Sequence, residues 1–598
     1  MNRKHILLAL MVLGIVVLAG CGSSNPAIIV QIANVPGTLT ANQSVTLSAT
    51  VTNDPSTGNV NWTCMPSGSC GSFNPTQTAN GGTTSYTAPA AAGTVTIVAT
   101  DADHTGSTAT ATITIVAVGA NSQLSGQYVY FVQGTDVDGF YTAVGSFVAD
   151  GNGNITSGEQ DFYDAGDVQD QADPLTGTYS IAANGQGSMT VTTSNGGLTL
   201  PNGGVETFSF ALTSTTHGLV VEFDAEDTSS GTIDFQSTTG TTSGTSAASI
   251  TGDYSFATSG EDLSNEVALT FGGVANLSAS SGSVTSGTIY ANDGGTTQNS
   301  GTTGSVTGPD AFGRGTISTS FGVNFVYYAV QGEVLRVVES DVPAFITGGT
   351  FYGQGAPGTN STFSVSSLSG TYAFFDSGST VNGPLALVGQ FTADGSGNLS
   401  AGFADTNDGG TYEKGSIAGQ AVYAIAGNGT GTLTLPGTPS TTEDVSALLI
   451  FPTDPTLNLL DPNNTASGTG GALIMDNDAG AYGTGLIVPQ ITGAFQGNYA
   501  VNLQLFNSSA EIDFVGQSTQ SGGSFTGTVD LNDNGTTATA VNFAGTSTAD
   551  STNTGRYTGS FTVGANSYNI TYYQVNSGEF FILDTDSSDV GNGFLQTQ

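Results

Sequence analysis

Leu124-Ser125-Gly126-Gln127-Tyr128 recurs as Leu368-Ser369-Gly370-Thr371-Tyr372, and Gly145-Ser146-Phe147 with Ala149-Asp150-Gly151 recurs as Gly389-Gln390-Phe391 with Ala393-Asp394-Gly395. The offset is 244 residues at every one of these positions. Related units open at Thr251-Gly252-Asp253-Tyr254 and at Gln496-Gly497-Asn498-Tyr499, 245 residues apart. Their later parts match as well: Tyr327-Tyr328 with Tyr572-Tyr573, and Glu339-Ser340-Asp341 with Asp584-Thr585-Asp586. The order is A-B-A-B, a pair of units duplicated once.

Within a unit, short runs rich in Val, Ile, Phe and Tyr alternate with polar residues, and Asp-Gly or Asn-Gly turns separate them. Period-two alternation places one face in a core and one in water. In the first unit the pattern predicts strands near 127–133, 142–149, 154–162, 176–182, 187–193, 205–212, 218–224 and 231–236. Eight sequential antiparallel strands of this length can close into an up-and-down barrel, which removes exposed edges. A sandwich per unit, or one larger sheet system shared by an A-B pair, are the alternatives. The units end near Gln236, Gln354, Gln490 and Gln596, and the stretches 237–249 and 355–367 read as linkers that favour separate units. The expected segments are 124–236, 250–354, 368–490 and 493–598. The Gly-x-Tyr opening resembles that of the calycins, with tyrosine where tryptophan is usual.

Residues 27–118 carry their own alternating runs, Ala27 to Ile32, Ser44 to Thr52, Val60 to Thr63, Val95 to Thr100 and Ala109 to Val118. About seven short strands in this length suit a β-sandwich. Val51-Thr52-Asn53-Asp54-Pro55, Val60-Asn61-Trp62-Thr63 and Tyr86-Thr87-Ala88-Pro89 resemble the bacterial Ig-like family in its group 2 form. The resemblance implies a spacer or an adhesive module. Trp62, the only tryptophan, reads as a core anchor. The fold class expected for the chain is therefore all-β: an Ig-like β-sandwich followed by four antiparallel repeats of about eight strands, small calycin-like barrels.

The first residues are those of a secretory signal peptide. Arg3 and Lys4 precede an apolar run from Ile6 to Val17, shorter than the roughly 20 residues of a membrane span. Leu18-Ala19-Gly20-Cys21 resembles the bacterial lipobox. That resemblance implies a signal peptide over 1–20, lipidation of Cys21, and a tether over 21–26. Gly22 stands where an aspartate would retain the protein at the inner membrane, so the resemblance implies the outer membrane or cell surface.

Beyond the signal segment four cations, Arg314, Arg336, Lys414 and Arg556, face 47 acids. So acidic a chain is a poor partner for nucleic acid. The membrane is met through the lipid, and the expected partners are an extracellular glycan or protein. With Cys21 lipidated, Cys64 and Cys70 remain, and an even pair in an oxidising compartment forms a local disulfide. The rival, a two-cysteine metal site, lacks nearby histidines.

No cofactor is expected from the sequence, with calcium as the candidate exception. Asp150, Asn152 and Asn154, repeated as Asp394, Ser396 and Asn398, offer oxygens at alternate positions, with Asp161 and Asp405 further on. Ile155 and Leu399 stand where a calcium loop needs glycine, and turn chemistry explains the same residues. No nucleophile elbow or zinc-protease motif occurs. His104 lies in a polar loop and His217 in a Thr-Thr-His-Gly turn. Glu222 with Asp224, and Asp584 with Asp586, would share a strand face and could do acid–base work. Tyr128, Tyr130, Tyr254, Phe256, Tyr372 and Phe374 form stripes on first strands that fill a core or, less simply, stack on sugars. The sequence thus predicts a lipid-anchored, non-enzymatic structural or adhesive protein presenting a spaced array of β-domains. Capture of a glycan or small apolar ligand by the repeats is one alternative, and a glycan-active hydrolase the other.

Overall fold

The computed structural model describes residues 26–598 apart from 41–42, 57, 90–92, 117–119, 137, 166–168, 194–203, 226, 237–245, 247, 342–343, 360, 418–421, 436–446 and 508–509. The signal segment, Cys21, most of the tether and most of the first linker lie outside the described residues. Contacts divide the chain into two compact bodies, Met1–Val118 and Gly119–Gln598.

The first body has two sheets. One orders Ile29–Ala33, Ser44–Thr52, Thr83–Thr87 and Ser72–Asn74; the other orders Thr38–Thr40, Thr108–Val116, Gly93–Asp101, Val60–Met65 and Gln77–Thr78. Alternate residues of each point into one core around Leu47, Trp62, Tyr86, Ile97 and Ile113. The Trp62 indole N–H donates to Thr78 Oγ1 at 3.1 Å, so its one polar atom is satisfied inside the core. A Cys64–Cys70 disulfide pins the loop beside it, with Cα atoms 5.8 Å apart.

The second body is built of eight-stranded antiparallel barrels. The first runs Ser125–Thr135, Phe140–Asp150, Asn154–Asp164, Gln169–Ile181, Gln186–Thr193, Val205–Leu212, His217–Glu222 and Thr228–Phe235, each strand pairing with the next and the last with the first. This is the up-and-down order that the sequence predicts. The fourth barrel, from Gly497–Asn507 to Asp589–Thr597, closes in the same way. In the second barrel the fourth strand is broken into Thr296–Gly301 and Gly304–Val306, both paired with Ser283–Asp293. In the third it is divided into Thr411–Ser416 and Val422–Ile425, and the register survives the break: Asn398 bridges Val422 as Asn154 pairs with Thr178, 244 residues earlier. Each barrel is filled by its own side chains, so the aromatic stripes are core. Tyr130 packs on Phe147 and Phe208, Phe256 stacks on Phe351 at 4.4 Å, and Phe495 plugs the fourth barrel against Phe580 at 3.8 Å. Burying one such ring stabilises by about 2–3 kcal/mol.

The repeats do not extend as a spaced array. They close into a ring, and the same hydrogen bond is made at all four joints. The glutamine after each barrel's last strand donates its amide to a carbonyl in the last three residues of the sixth strand of the next barrel. Gln236 reaches Ala329 O at 2.7 Å, Gln354 reaches Pro452 O at 2.8 Å, Gln490 reaches Gln574 O at 2.7 Å, and Gln598 reaches Leu212 O at 3.2 Å. The fourth latch is Gln598, two residues past the Gln596 expected from the repeat pattern, and it binds the last barrel to the first. Under each latch sits a glycine with positive φ. A Cβ on Gly313 would lie 2.0 Å from the Gln236 amide nitrogen, and one on Gly429 2.2 Å from that of Gln354. Gly555 and Gly185 hold the corresponding places beneath Gln490 and Gln598.

Side chains from the third strand add a second set of ties. Asn292 donates to carbonyls of Asp478 and Ala481, Asn407 to those of Asp584 and Asp586, and Asn532 to those of Glu222 and Asp227, in each case in the following barrel. In the first barrel Tyr163 takes this place, 244 residues before Asn407. One apolar cluster draws on all four barrels, including Val144, Tyr328, Val388 and Phe581.

Gly429→Ala adds a clash with the latch to the strain of its own φ of +81°, so it should lower the melting temperature of the full chain further than the same change at an unobstructed glycine would, by about 1–3 kcal/mol beyond the strain alone. Gly322→Ala, at φ +99° with nothing within 4 Å, should cost only backbone strain of about 1–2 kcal/mol. Calorimetry of the two variants checks the difference, and equal losses would remove the latch from the account.

Candidate functional site

Where the four barrels meet, they line a half-open cavity of about 650 Å³. Every barrel contributes a wall: Phe131 and Phe140 from the first, Tyr352 from the second, Phe375 and Leu486 from the third, Phe594 from the fourth. Polar side chains interrupt this lining from every barrel, among them Arg336, Thr350, Asn502, Gln504, Asn592 and Gln596. A mostly apolar concavity with a few fixed polar groups is the usual form of a small-molecule site.

The duplication makes the cavity's asymmetry readable. On one side Arg336 donates through Nη2 to Asp234 Oδ2 at 2.7 Å and through Nη1 to Thr350 Oγ1 at 2.9 Å. Asp234 Oδ1 faces His217 Nδ1 at 2.8 Å, and His217 Nε2 faces Gln596 Oε1 at 3.0 Å. The Gln596 amide nitrogen is committed to Leu460 O at 3.1 Å, which fixes its oxygen toward the ring. Both neighbours of the imidazole are then acceptors, so the ring carries two N–H groups and a positive charge. Burial opposes that charge, but the Asp234 hydrogen bond and charge outweigh it and hold His217 above its ordinary value. Burial likewise opposes ionisation of Asp234, and the charge of Arg336 with the His217 bond keeps it well below the usual carboxylate range. The duplicate positions are Gly471, Val488, Phe581, Phe594 and Tyr352. There the wall is aromatic: Phe375 lies 5.0 Å from Phe581 and 5.3 Å from Phe594. His217, read from sequence as a turn residue, is thus the buried first residue of a strand. Its polar neighbours in the chain hide this, and only the pairing with Asp234 reveals it.

The calcium-loop candidates have their oxygens in use. Asp150 Oδ1 accepts from the backbone N–H of Asn152 at 2.7 Å and of Asn154 at 3.0 Å, and Oδ2 accepts from the Asn154 amide at 2.7 Å. Asp394 does the same with Ser396 and Asn398. These bonds, the Asn154 side chain first, pull the exposed Asp150 down to about 2. Turn chemistry accounts for both motifs. Asp161 and Asp405 do not join them. They face the ring joints, where Arg314 grips Asp161 at 2.6 and 2.7 Å and Arg556 grips Asp405 at 2.7 and 2.6 Å. Tyr328 and Tyr573 donate to the same two carboxylates. His104 is not merely solvated: its Nδ1 lies 3.3 Å from Asp54 and 3.4 Å from Asp101.

The carboxylate pairs also differ from expectation. Glu222 and Asp584 end a seventh strand and are buried, whereas Asp224 and Asp586 lie in the turn beyond it and share no strand face with them. All four barrels repeat this: Glu222, Glu339, Asp476 and Asp584 are each buried at the same place. Burial pushes all four up, Asp584 to about 8. An acid whose folded value is raised keeps a proton that the unfolded chain has lost. Its contribution to stability is intact below the unfolded value near pH 4 and falls as pH rises toward the folded one. The melting temperature should therefore fall between about pH 5 and pH 8, by roughly 5 °C or more. Asp584→Asn should flatten part of that fall and raise the melting temperature at the alkaline end. At the cavity, Asp234→Asn leaves Arg336 and His217 facing each other without a counter-charge and should cost about 3–5 kcal/mol by denaturant unfolding.

No protein-family model matches the chain, and no curated protein matches it. Among solved structures it is similar to kievitone hydratase from Nectria haematococca, at 12% identity over 38% of this chain and 87% of that one, with a TM-score of 0.17. CghA with Sch210972 matches at 10% identity over 57% and 86%, TM-score 0.15. Intact Ap-TbpB, with its N and C lobes, matches at 9% identity over 80% and 96%, also at 0.15. At these scores no function is carried from any of the three to this chain.

Proposed function

We propose that the chain is an exported, lipid-anchored protein of the bacterial outer membrane or cell surface, without enzymatic activity, whose ring of barrels captures a small apolar ligand. The observation that carries the reading is the central cavity, lined by all four barrels and mostly apolar. The lipobox resemblance at Leu18 to Cys21 supports the anchor, and the Ig-like resemblance over 27–118 supports a spacer between anchor and ring. Among the described residues no helix is long and apolar enough to cross a membrane. A second reading, a structural or adhesive module, is favoured by the filled interiors of the barrels themselves.

An environment-sensitive apolar dye tests the choice. The full chain should bind it saturably, and Ser377→Phe, which fills the cavity from the third barrel, should weaken binding by about tenfold while leaving the fold intact by circular dichroism. Absence of saturable binding would leave the structural reading. Metabolic labelling with palmitate should mark the wild-type chain and not Cys21→Ser.

A further inference from the structure

The four joints share a latch but not a filling. Next to the latch glycines of the second and fourth barrels stand Arg314 and Arg556, and each closes its joint on an aspartate of the preceding barrel. At the joint between the second and third barrels the connecting segment does the filling: Ser361 donates to Gln354 O, and Phe363 packs against the third barrel's core. At the joint between the fourth and first barrels the corresponding residue is Gln186, whose side chain only accepts from Thr528 Oγ1 at 3.3 Å. A cleft of about 680 Å³ stays open there.

Its chemistry is unlike the rest of the molecule. In a chain with 47 acids, no charged side chain lines it. Asn184, Thr213, Ser214 and Thr215 line it from the first barrel, and Asn498, Thr519, Thr526 and Thr528 from the fourth. These are hydroxyls and amides, groups that both donate and accept. Its floor holds an atom that the protein leaves unsatisfied, Gln517 Oε1, on a residue only 6% exposed. Buried polar atoms without partners are uncommon and cost about 1–3 kcal/mol each.

We propose that this cleft is a binding site for a short neutral saccharide. A ligand dense in hydroxyls matches walls that alternate donors and acceptors. An anion would meet the repulsion of the acidic surface. A peptide added as a strand would need a free sheet edge, and both barrels here are closed. The site lies apart from the central cavity and shares no lining residue with it.

Saturation-transfer NMR on the full chain in detergent, with maltose, cellobiose and diacetylchitobiose as probes, tests the assignment. At least one neutral disaccharide should give saturable transfer. Thr526→Trp, which projects into the cleft from an exposed position, should reduce it about tenfold, while dye binding in the central cavity stays unchanged. Silence from all three sugars, or transfer that Thr526→Trp leaves undiminished, would overturn the proposal. Loss of dye binding with sugar binding retained would count against the central cavity alone.

Discussion

One amide-to-carbonyl hydrogen bond, made four times, organises the second body. Each closing glutamine spans from its own barrel to the sixth strand of the next, over a glycine that has no side chain to obstruct it. A single such bond contributes only about 1 kcal/mol net. Its importance is geometric. The bond recurs at the equivalent place in every joint, and the fourth of them ties the last barrel back to the first. Closure then buries the outer faces of the barrels against one another, so that residues such as Val144, Val388 and Phe581 lie in one apolar cluster although their barrels are far apart in sequence.

Ring closure also explains where the charges went. Of the four cations beyond residue 20, three are at joints: Arg314, Arg336 and Arg556, each bonded to an aspartate of the barrel beside it. The acids are too many to be paired in this way, and many are buried without a cation beside them, among them Glu339, Asp476 and Asp584. The chain uses its scarce positive charge to fix barrels to each other. Breaking such a buried pair from one side is costly, because the partner stays behind without solvent.

The strands were legible because their information is local. Alternation and Asp-Gly turns reveal all eight strands of the first barrel, seven of them to within a few residues and the fourth only in its second half, since it begins at Gln169, and the 244-residue offset carries them to the third. The ring was not legible, because a latch joins Gln354 to a glycine and a carbonyl from another repeat, and no periodicity along the chain encodes that pairing. The repeated closing glutamine was the available signal. It reads as a boundary mark until a partner is known. The site was hidden for a related reason. Arg336, Asp234, His217 and Gln596 come from three barrels and have no shared motif. Local reasoning misplaced Asp161 beside Asp150 for the same cause: they are on one hairpin, but one faces its own turn and the other faces a neighbouring barrel.

The replacement of Arg336 and Asp234 by Phe581 and Val488 has a consequence for how such an assembly can be encoded. Two identical copies of a single two-barrel chain could close the same ring about a twofold axis, with four equivalent latches. Every wall of the cavity would then occur in duplicate, an arginine always opposite an arginine. A single polypeptide holding both pairs is released from that rule. It can charge one half of the chamber and leave the other aromatic, so that anything held inside meets a front and a back.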